Sequence, residues 1–301
     1  VAAIIGAGSV VWGTQLPVQS QSTIYAEPWE ATAGPASVAA VAVAADTAGA
    51  HYVAVCDHVA IPADKADAMG TEWWDTLTTL GWLAGLTSNV HLLSHVYVLP
   101  YRHPLVVAKG FATLDAISGG RAILGVGAGH VEGEFAALGV DFATRGRALD
   151  EAIDGVRVAF ADNTQRPRPH RPGGPPIWVG GSSPPALRRA AERGDGWLPQ
   201  GPPKQGMRAA ISDLLRHRAE LGRPEAFDVG GNAAPMYVGT PSWDTGSALT
   251  GSPDELAAGL RRLTSAGVNQ VQVRLRSRSV NELCDQLTAF GTQVWPLVEA
   301  G

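Results

Sequence analysis

Cysteine is scarce. The 301-residue sequence holds two, Cys56 and Cys284, far apart and in no metal-binding or redox spacing. That argues against a disulfide-stapled scaffold and fits a reduced, cytoplasmic protein. Charge is also thin: 17% of residues are charged and the formal net charge is −5. No basic run or basic–aromatic stripe is present, so no nucleic-acid partner is expected. No apolar run approaches the length that spans a bilayer, so no membrane association is expected either. The first ten residues, VAAIIGAGSV, are apolar but lack the basic start of a signal peptide. They contain Gly6 and Gly8, but the full GxGxxG spacing, a preceding strand and a following helix are missing. A frayed extension is expected there.

What the sequence does have is alternation. Hydrophobic residues make up 45% of it, enough for a sizeable core. Short β-rich runs recur, each followed by a longer Ala/Leu-rich stretch with helical spacing. Strands are expected at VVWGTQLPV near residue 11, YVAVCDH ending at His58, VHLLSHVYVL from Val90 and ILGVGAG from Ile123. Four more follow at PIWVGG from Pro176, GWLPQ from Gly196, residues 227–239 and VNQVQVRLR from Val268. Helices are expected at 35–49, 73–88, 104–117, 145–160, 184–193, 204–221, after the N-cap Ser252, and finally up to Val298. Eight strands alternating with helices predict a single (β/α)8 TIM barrel over 1–301. The Pro/Arg-rich run at 163–176 is expected to be a surface connection within it rather than a linker.

In such a barrel, chemistry gathers at the C-terminal ends of the strands. The second strand ends in Asp57-His58, the third carries Ser94 and His95, the fourth ends in Gly127-Ala128-Gly129-His130, and the fifth in Gly180-Gly181-Ser182-Ser183. Two glycines, two serines and a helix N-terminus suit a phosphate, and equally suit an ordinary capped turn. Alternate glycines in the fourth strand suit a flat ligand or tight internal packing. His58 and His130 are candidates for proton transfer, since imidazole titrates near neutral pH. Three histidines at strand ends also leave open a metal-dependent hydrolase, although no His-x-His or His-Glu-x-x-His spacing occurs. Cys56 is read as a buried small residue. His51, His91, His103, His170 and His217 are read as surface or loop positions.

YVAVCDHVAIP, the run from VYVLPYRHPLVV through TLDAISGGRAILGVGAGHVEGEF to RALDEAI, and PPIWVGGSSPPALRRAAERGDGWLP occur in this order. Together they resemble the bacterial luciferase-like monooxygenase superfamily, closest to its coenzyme F420-dependent oxidoreductase branch. The likeness is strong over about residues 11–200 and loose beyond. It implies a homodimer of (β/α)8 barrels. It also implies that Asp57 and His58 contact a deazaflavin, with His58 active in proton transfer. A non-proline cis peptide is implied at His95–Val96, a cofactor approach at Gly127, Ala128 and Gly129, and a phosphate site at Gly180, Gly181 and Ser182. His130 stands where the F420-dependent sugar-phosphate dehydrogenases carry a glutamate base, and Pro62 where they carry a tryptophan. Sugar-phosphate chemistry is therefore not expected. The resulting expectation is hydride transfer between coenzyme F420 and a small organic substrate. The alternatives are an FMN-dependent monooxygenase and a deazaflavin-binding protein without catalysis.

Overall fold

A computed structural model describes residues 3–20, 22, 25–162, 164 and 166–300. Eight parallel staves close into a barrel. They are β1 (Val11–Gln15), β2 (Tyr52–Val55), β3 (His91–Ser94), β4 (Ala122–Gly127), β5 (Ile177–Gly180), β6 (Gly196–Leu198), β7 (Asp228–Asn232) and β8 (Gln270–Val273). Each pairs with its sequence neighbour, β8 pairs with β1, and so the ring has no free edge. Outside lie α1 (Pro35–Thr47), α2 (Thr76–Ala84), α3 (Pro104–Ser118), α4 (Glu132–Leu138), α5 (Arg145–Ala161), α6 (Pro184–Arg193), α7 (Met207–Glu220), α8 (Pro253–Thr264) and α9 (Val280–Ala289). The chain then runs through a π-helical turn into α10 (Trp295–Glu299).

The expected strands are all present but end earlier than expected. Cys56, Asp57 and His58 lie just past β2, and the stretch expected as one strand over 227–239 divides into β7 and a separate segment, Met236–Val238. That segment pairs with Leu249–Gly251 outside the barrel. Ser252 caps α8 as expected. Its hydroxyl accepts the Glu255 N–H while Glu255 accepts the Ser252 N–H, a reciprocal pair whose loss costs about 1 kcal/mol.

Two layers of side chains fill the molecule. One lies between staves and helices; β2, for instance, sends Val53 and Val55 outward into it. The other fills the barrel itself, with Tyr52, Ala54, Leu93, Ile123, Trp178 and Leu198. The Tyr52 and Trp178 rings meet edge-on at 5.9 Å. Room for them comes from glycine: a Cβ on Gly13 would lie 2.5 Å from the Tyr52 ring, and one on Gly196 would lie 2.4 Å from Trp178.

The segment expected to fray is docked. Ile5 is buried inside the barrel with that second layer. The Ile4 and Ile5 N–H groups donate to the buried Asp228 carboxylate at 3.0 and 3.2 Å, and Trp178 Nε1 donates to it at 3.0 Å. Burial raises the Asp228 carboxyl to about 6 against these donors. At the same end, His51 and His91 are not loose surface residues. Their rings stack at 4.4 Å, and burial depresses them to about 3 and about 4.

One stave is irregular. Leu93 pairs with Ile123 and Tyr97 with Val126, so β3 spends four residues where β4 spends three. The extra residue is a bulge at His95–Val96, the cis peptide expected at this position.

Candidate functional site

At the C-terminal ends of the staves the barrel opens into a cavity of about 930 Å³. That is the size range of cofactor-plus-substrate sites. Asp57, His58, His95, Val96, Gly127, Ala128, Gly129, His130, Gly180 and Gly181 all line it. Ser182 does not. Its hydroxyl donates to the Gly201 carbonyl at 2.7 Å and accepts the Gln200 N–H at 3.0 Å, tying together the loops after β5 and β6.

The glycines have individual causes. A Cβ on Gly125 would sit 2.0 Å from the Ser94 carbonyl, on Gly127 2.4 Å from Val96 Cγ2, and on Gly180 2.7 Å from Val96 Cγ1. Internal packing thus requires them. The bulge pushes Val96 across β4 and β5, and only glycine clears it. The consequence is a wall in which glycines surround Val96. Gly181, at φ 110°, turns the chain from β5 toward α6 in a conformation that favours glycine.

The start of α6 departs from the sequence argument. Pro184 and Pro185 occupy its first two positions and carry no N–H, so the helix offers fewer donors than a phosphate-binding N-terminus usually does. Ser183 and Ala186 line the cavity. Arg145 was missed in the sequence. It lines the cavity, lies over the Phe142 ring at 3.7 Å and donates to the Phe142 carbonyl at 2.9 Å, with no carboxylate partner among the described residues. Arg189 also lines the cavity, but Asp150 holds it at 2.5 Å.

Asp57 is largely occupied. Its carboxylate takes both Arg102 Nη groups at 2.7 and 2.8 Å, the Val98 N–H at 2.8 Å and the Thr76 hydroxyl at 3.3 Å. It therefore locks the bulge to the loop after β2. His58 points elsewhere, as strand alternation suggests. Its Nδ1 lies 2.7 Å from Glu134 Oε2, and its ring meets Trp73 at 4.3 Å and His130 at 5.7 Å.

Glu134 is the main residue the sequence reading passed over. It is fully buried on α4. Its other oxygen accepts the Val59 and Ala60 N–H groups at 2.6 and 3.1 Å, and Tyr101 donates to Oε2 at 3.3 Å. Burial alone would raise its carboxyl, but the bonds from His58, Val59 and Ala60 hold it below the usual carboxylate value. An ionised Glu134 accepts only, so His58 Nδ1 must carry a proton. The neutral imidazole then leaves Nε2 unprotonated, free to take a proton or, once charged, to give one. The signal in the sequence was a glutamate four residues after His130, on the first turn of the next helix.

Burial, and after it the neighbouring His58, lower the His130 imidazole below its ordinary value, with Glu134 opposing. Burial depresses His95 to about 4. Cys56 is in the cavity wall rather than the core; its Sγ accepts Gln15 Nε2 at 2.9 Å, and burial pushes the thiol up to about 12. From the end of β1 onward, Gln15, Leu16, Pro17, Gln19, Ser20 and Ser22 line the cavity as well. Trp243 is not in the wall. Its indole donates to Glu282 at 3.2 Å. Among the described residues, no three His, Cys, Asp or Glu side chains gather as a metal site, and no helix is long and apolar enough to cross a membrane.

Comparison with known proteins points the same way as this geometry. The model of the luciferase-like monooxygenase family matches residues 12–244. An uncharacterised protein of Mycobacterium tuberculosis is 31% identical over 215 residues, 63% of this chain and 74% of that one. An F420-dependent glucose-6-phosphate dehydrogenase of Kineococcus radiotolerans is 35% identical over 182 residues, 54% of this chain and 52% of that enzyme. Among solved structures, a monooxygenase of Streptomyces bottropensis superposes with a TM-score of 0.77 at 20% identity, covering 95% of this chain and 99% of that one. At that identity the likeness is one of fold.

Proposed function

The chain belongs to the luciferase-like monooxygenase family and is an oxidoreductase; from that premise we propose that it uses coenzyme F420 to transfer a hydride to or from a small organic substrate. The observation that carries the reading is the His58–Glu134 pair, standing beside a stretch of cavity wall in which glycines surround Val96. The surface of Val96 and Ala128 between glycines suits a flat ring system. Gly181, Ser183, Ala186 and Arg145 suit its phosphate. When bound, the coenzyme supplies the hydride equivalent.

The remaining work belongs to the protein. In the direction of reduction, the substrate oxygen that gains an electron pair needs a proton, and His58 Nε2 gives it. In oxidation the same nitrogen takes it. Glu134 keeps the ring in one tautomer and balances the imidazolium charge. His130, less ready to charge, is the second candidate and shapes the space beside His58. Asp57 acts at one remove, by fixing the bulge through Arg102 and Val98.

FMN-dependent oxygenation is the second reading, favoured by the cradle itself, which any flavin phosphate would fit. Parallel titration with F420 and FMN, followed by fluorescence or absorbance, separates the two. Tight binding of FMN alone overturns the F420 assignment, and binding of neither overturns both. Binding of F420 without hydride transfer to any substrate would support the non-catalytic alternative. A homodimer belongs to the same proposal. Trp82, Leu86, Leu105 and Val106 leave apolar surface on and beside α2 and α3, and light scattering in solution checks it.

A further inference from the structure

The side of the mouth built by β7, β8 and β1 has no part in the chemistry above. Along β8 and just beyond it, Gln270, Gln272 and Arg274 fall on every second position and so share the inward face. Gln272 and Arg274 line the cavity. In the ring of eight, β8 stands opposite β4, so Arg274 faces the wall that ends in Gly129 and His130.

Among the guanidiniums around the cavity, Arg189 is held by Asp150, and Arg276, behind the wall, is paired with both oxygens of Glu27. Arg145 lies by the phosphate cradle. Arg274 is left on the far side with no carboxylate partner. Its Nη2 donates to the Tyr25 carbonyl and its plane lies 5.3 Å from the Tyr25 ring centre. Its Nε and Nη1 have no partner among the described residues. Burial pulls its pKa below the usual arginine value, Glu27 opposes this and Arg276 adds to it. Beside it the Gln272 amide makes no hydrogen bond within the described residues, and its Oε1 is buried. A cationic fork and an idle amide side by side, both facing a cavity, are groups that lack a polar partner.

We propose that Arg274 and Gln272 form the substrate-recognition pair, and that the substrate is a small organic acid whose carboxylate lies on the Arg274 fork. A hydroxyl or N–H next to that carboxylate completes Gln272. This deepens the reading of the mouth as an oxidoreductase site and rests on it. A single negative charge fits better than a phosphate. Arg276 is already committed to Glu27, and Glu27 and Glu30, both in the cavity wall, would repel a dianion. The arrangement also sets the substrate's orientation: acid group toward β8, reacting carbon toward β2 and β4.

The test is ligand binding followed by tryptophan fluorescence, since Trp29 and Trp73 line the cavity. The probes are benzoate and hexanoate, each against its neutral amide, and phenyl phosphate. They are measured with the F420- or FMN-loaded protein and repeated without cofactor, so that failure of the cofactor reading leaves this result legible. At least one acid is expected to bind about tenfold or more tightly than its amide and more tightly than phenyl phosphate. R274Q should abolish that preference, R274K should retain part of it, and both should keep the parent melting temperature and F420 affinity. The proposal is overturned if no acid is preferred over its amide, if phenyl phosphate binds best, or if R274Q keeps the preference. It is also overturned if R274Q weakens F420 as much as it weakens the acid, which would assign the arginine to the cofactor rather than to the substrate.

Discussion

The two sides of the barrel mouth are built on opposite principles. From β2 to β5 the wall is emptied: Gly127 and Gly180 let Val96 across, Gly125 clears the Ser94 carbonyl, and polar groups on it are tied down, Asp57 by Arg102 and His58 by Glu134. From β7 through β8 to β1 the wall is furnished with Asn232, Gln272, Arg274 and Gln15, held loosely or not at all. A wall that must fit one flat, invariant partner gains from rigidity, because every group is positioned before the ligand arrives. A wall that reads a substrate needs groups whose hydrogen bonds remain to be made.

Breaking the rigid side should cost most. Replacing His58 with Ala is expected to lower turnover about 10²- to 10⁴-fold, with cofactor affinity changed far less; steady-state kinetics beside a binding titration check this. Unchanged turnover would remove His58 from the chemistry and erase the division between the walls. Acid should come next. The unfolded-chain value of His95 is 6.5, and its folded value is about 4. Between these values the unfolded chain holds the extra proton, so stability falls as pH drops through that window and is unaffected above it. The loss is at most about 3 kcal/mol from this residue. Denaturant melts at pH 7 and pH 4.5 should differ less in an H95N variant; an equal difference would discount the assignment. His51 and His91, stacked at the other end, add a loss of the same sign.

Smaller effects sharpen the contrast further. Gly127→Ala should cost about 1–3 kcal/mol as Val96 is displaced, while Asn232→Ala, across the mouth, should stay within about 1 kcal/mol, since it gives up one bond to Pro199 at 3.1 Å. Thermal melts of the two variants decide this, and equal losses would mean that the walls do not differ in packing. Glu134→Gln should lower kcat about tenfold with KM little changed. It should also blur the single His58 tautomer, visible as a change in imidazole nitrogen chemical shifts. An unchanged nitrogen spectrum would mean that Glu134 holds the loop rather than the ring.

Much of this was legible in the sequence, for identifiable reasons. The barrel follows from period: eight β-rich runs separated by helical stretches leave few other closures. The strand-end residues follow from topology, which sends Asp57, His95, Gly127 and Gly180 to one rim. The missed features depend on who meets whom. Nothing local announces that Glu134 reaches back to a histidine 76 positions earlier. The proline pair at 184–185 was visible, yet it was weighed as a helix start rather than as two missing donors. The docking of Ile4 and Ile5 on Asp228 spans more than 220 residues and belongs to an apolar stretch that alone looks merely loose. Arg274 was one arginine in a charged run until its neighbours paired off.

The bulge in β3 acts as a frameshift written in geometry. Ahead of it the odd-numbered residues face inward, as Leu93 does. Behind it the even-numbered ones do, as Val96 and Val98 do, while Tyr97 and Leu99 go to the outer core. His95 and Val96, neighbours in sequence, both reach the cavity because the parity changes between them. Deleting one residue here would therefore do more than shorten a strand. Tyr97 would keep its partner Val126 and Val98 its place in the cavity, but only one of the adjacent pair His95 and Val96 would remain to reach the mouth. An insertion elsewhere in the stave would not restore the mouth, since the phase must change at this point to let one wall serve both core and ligand.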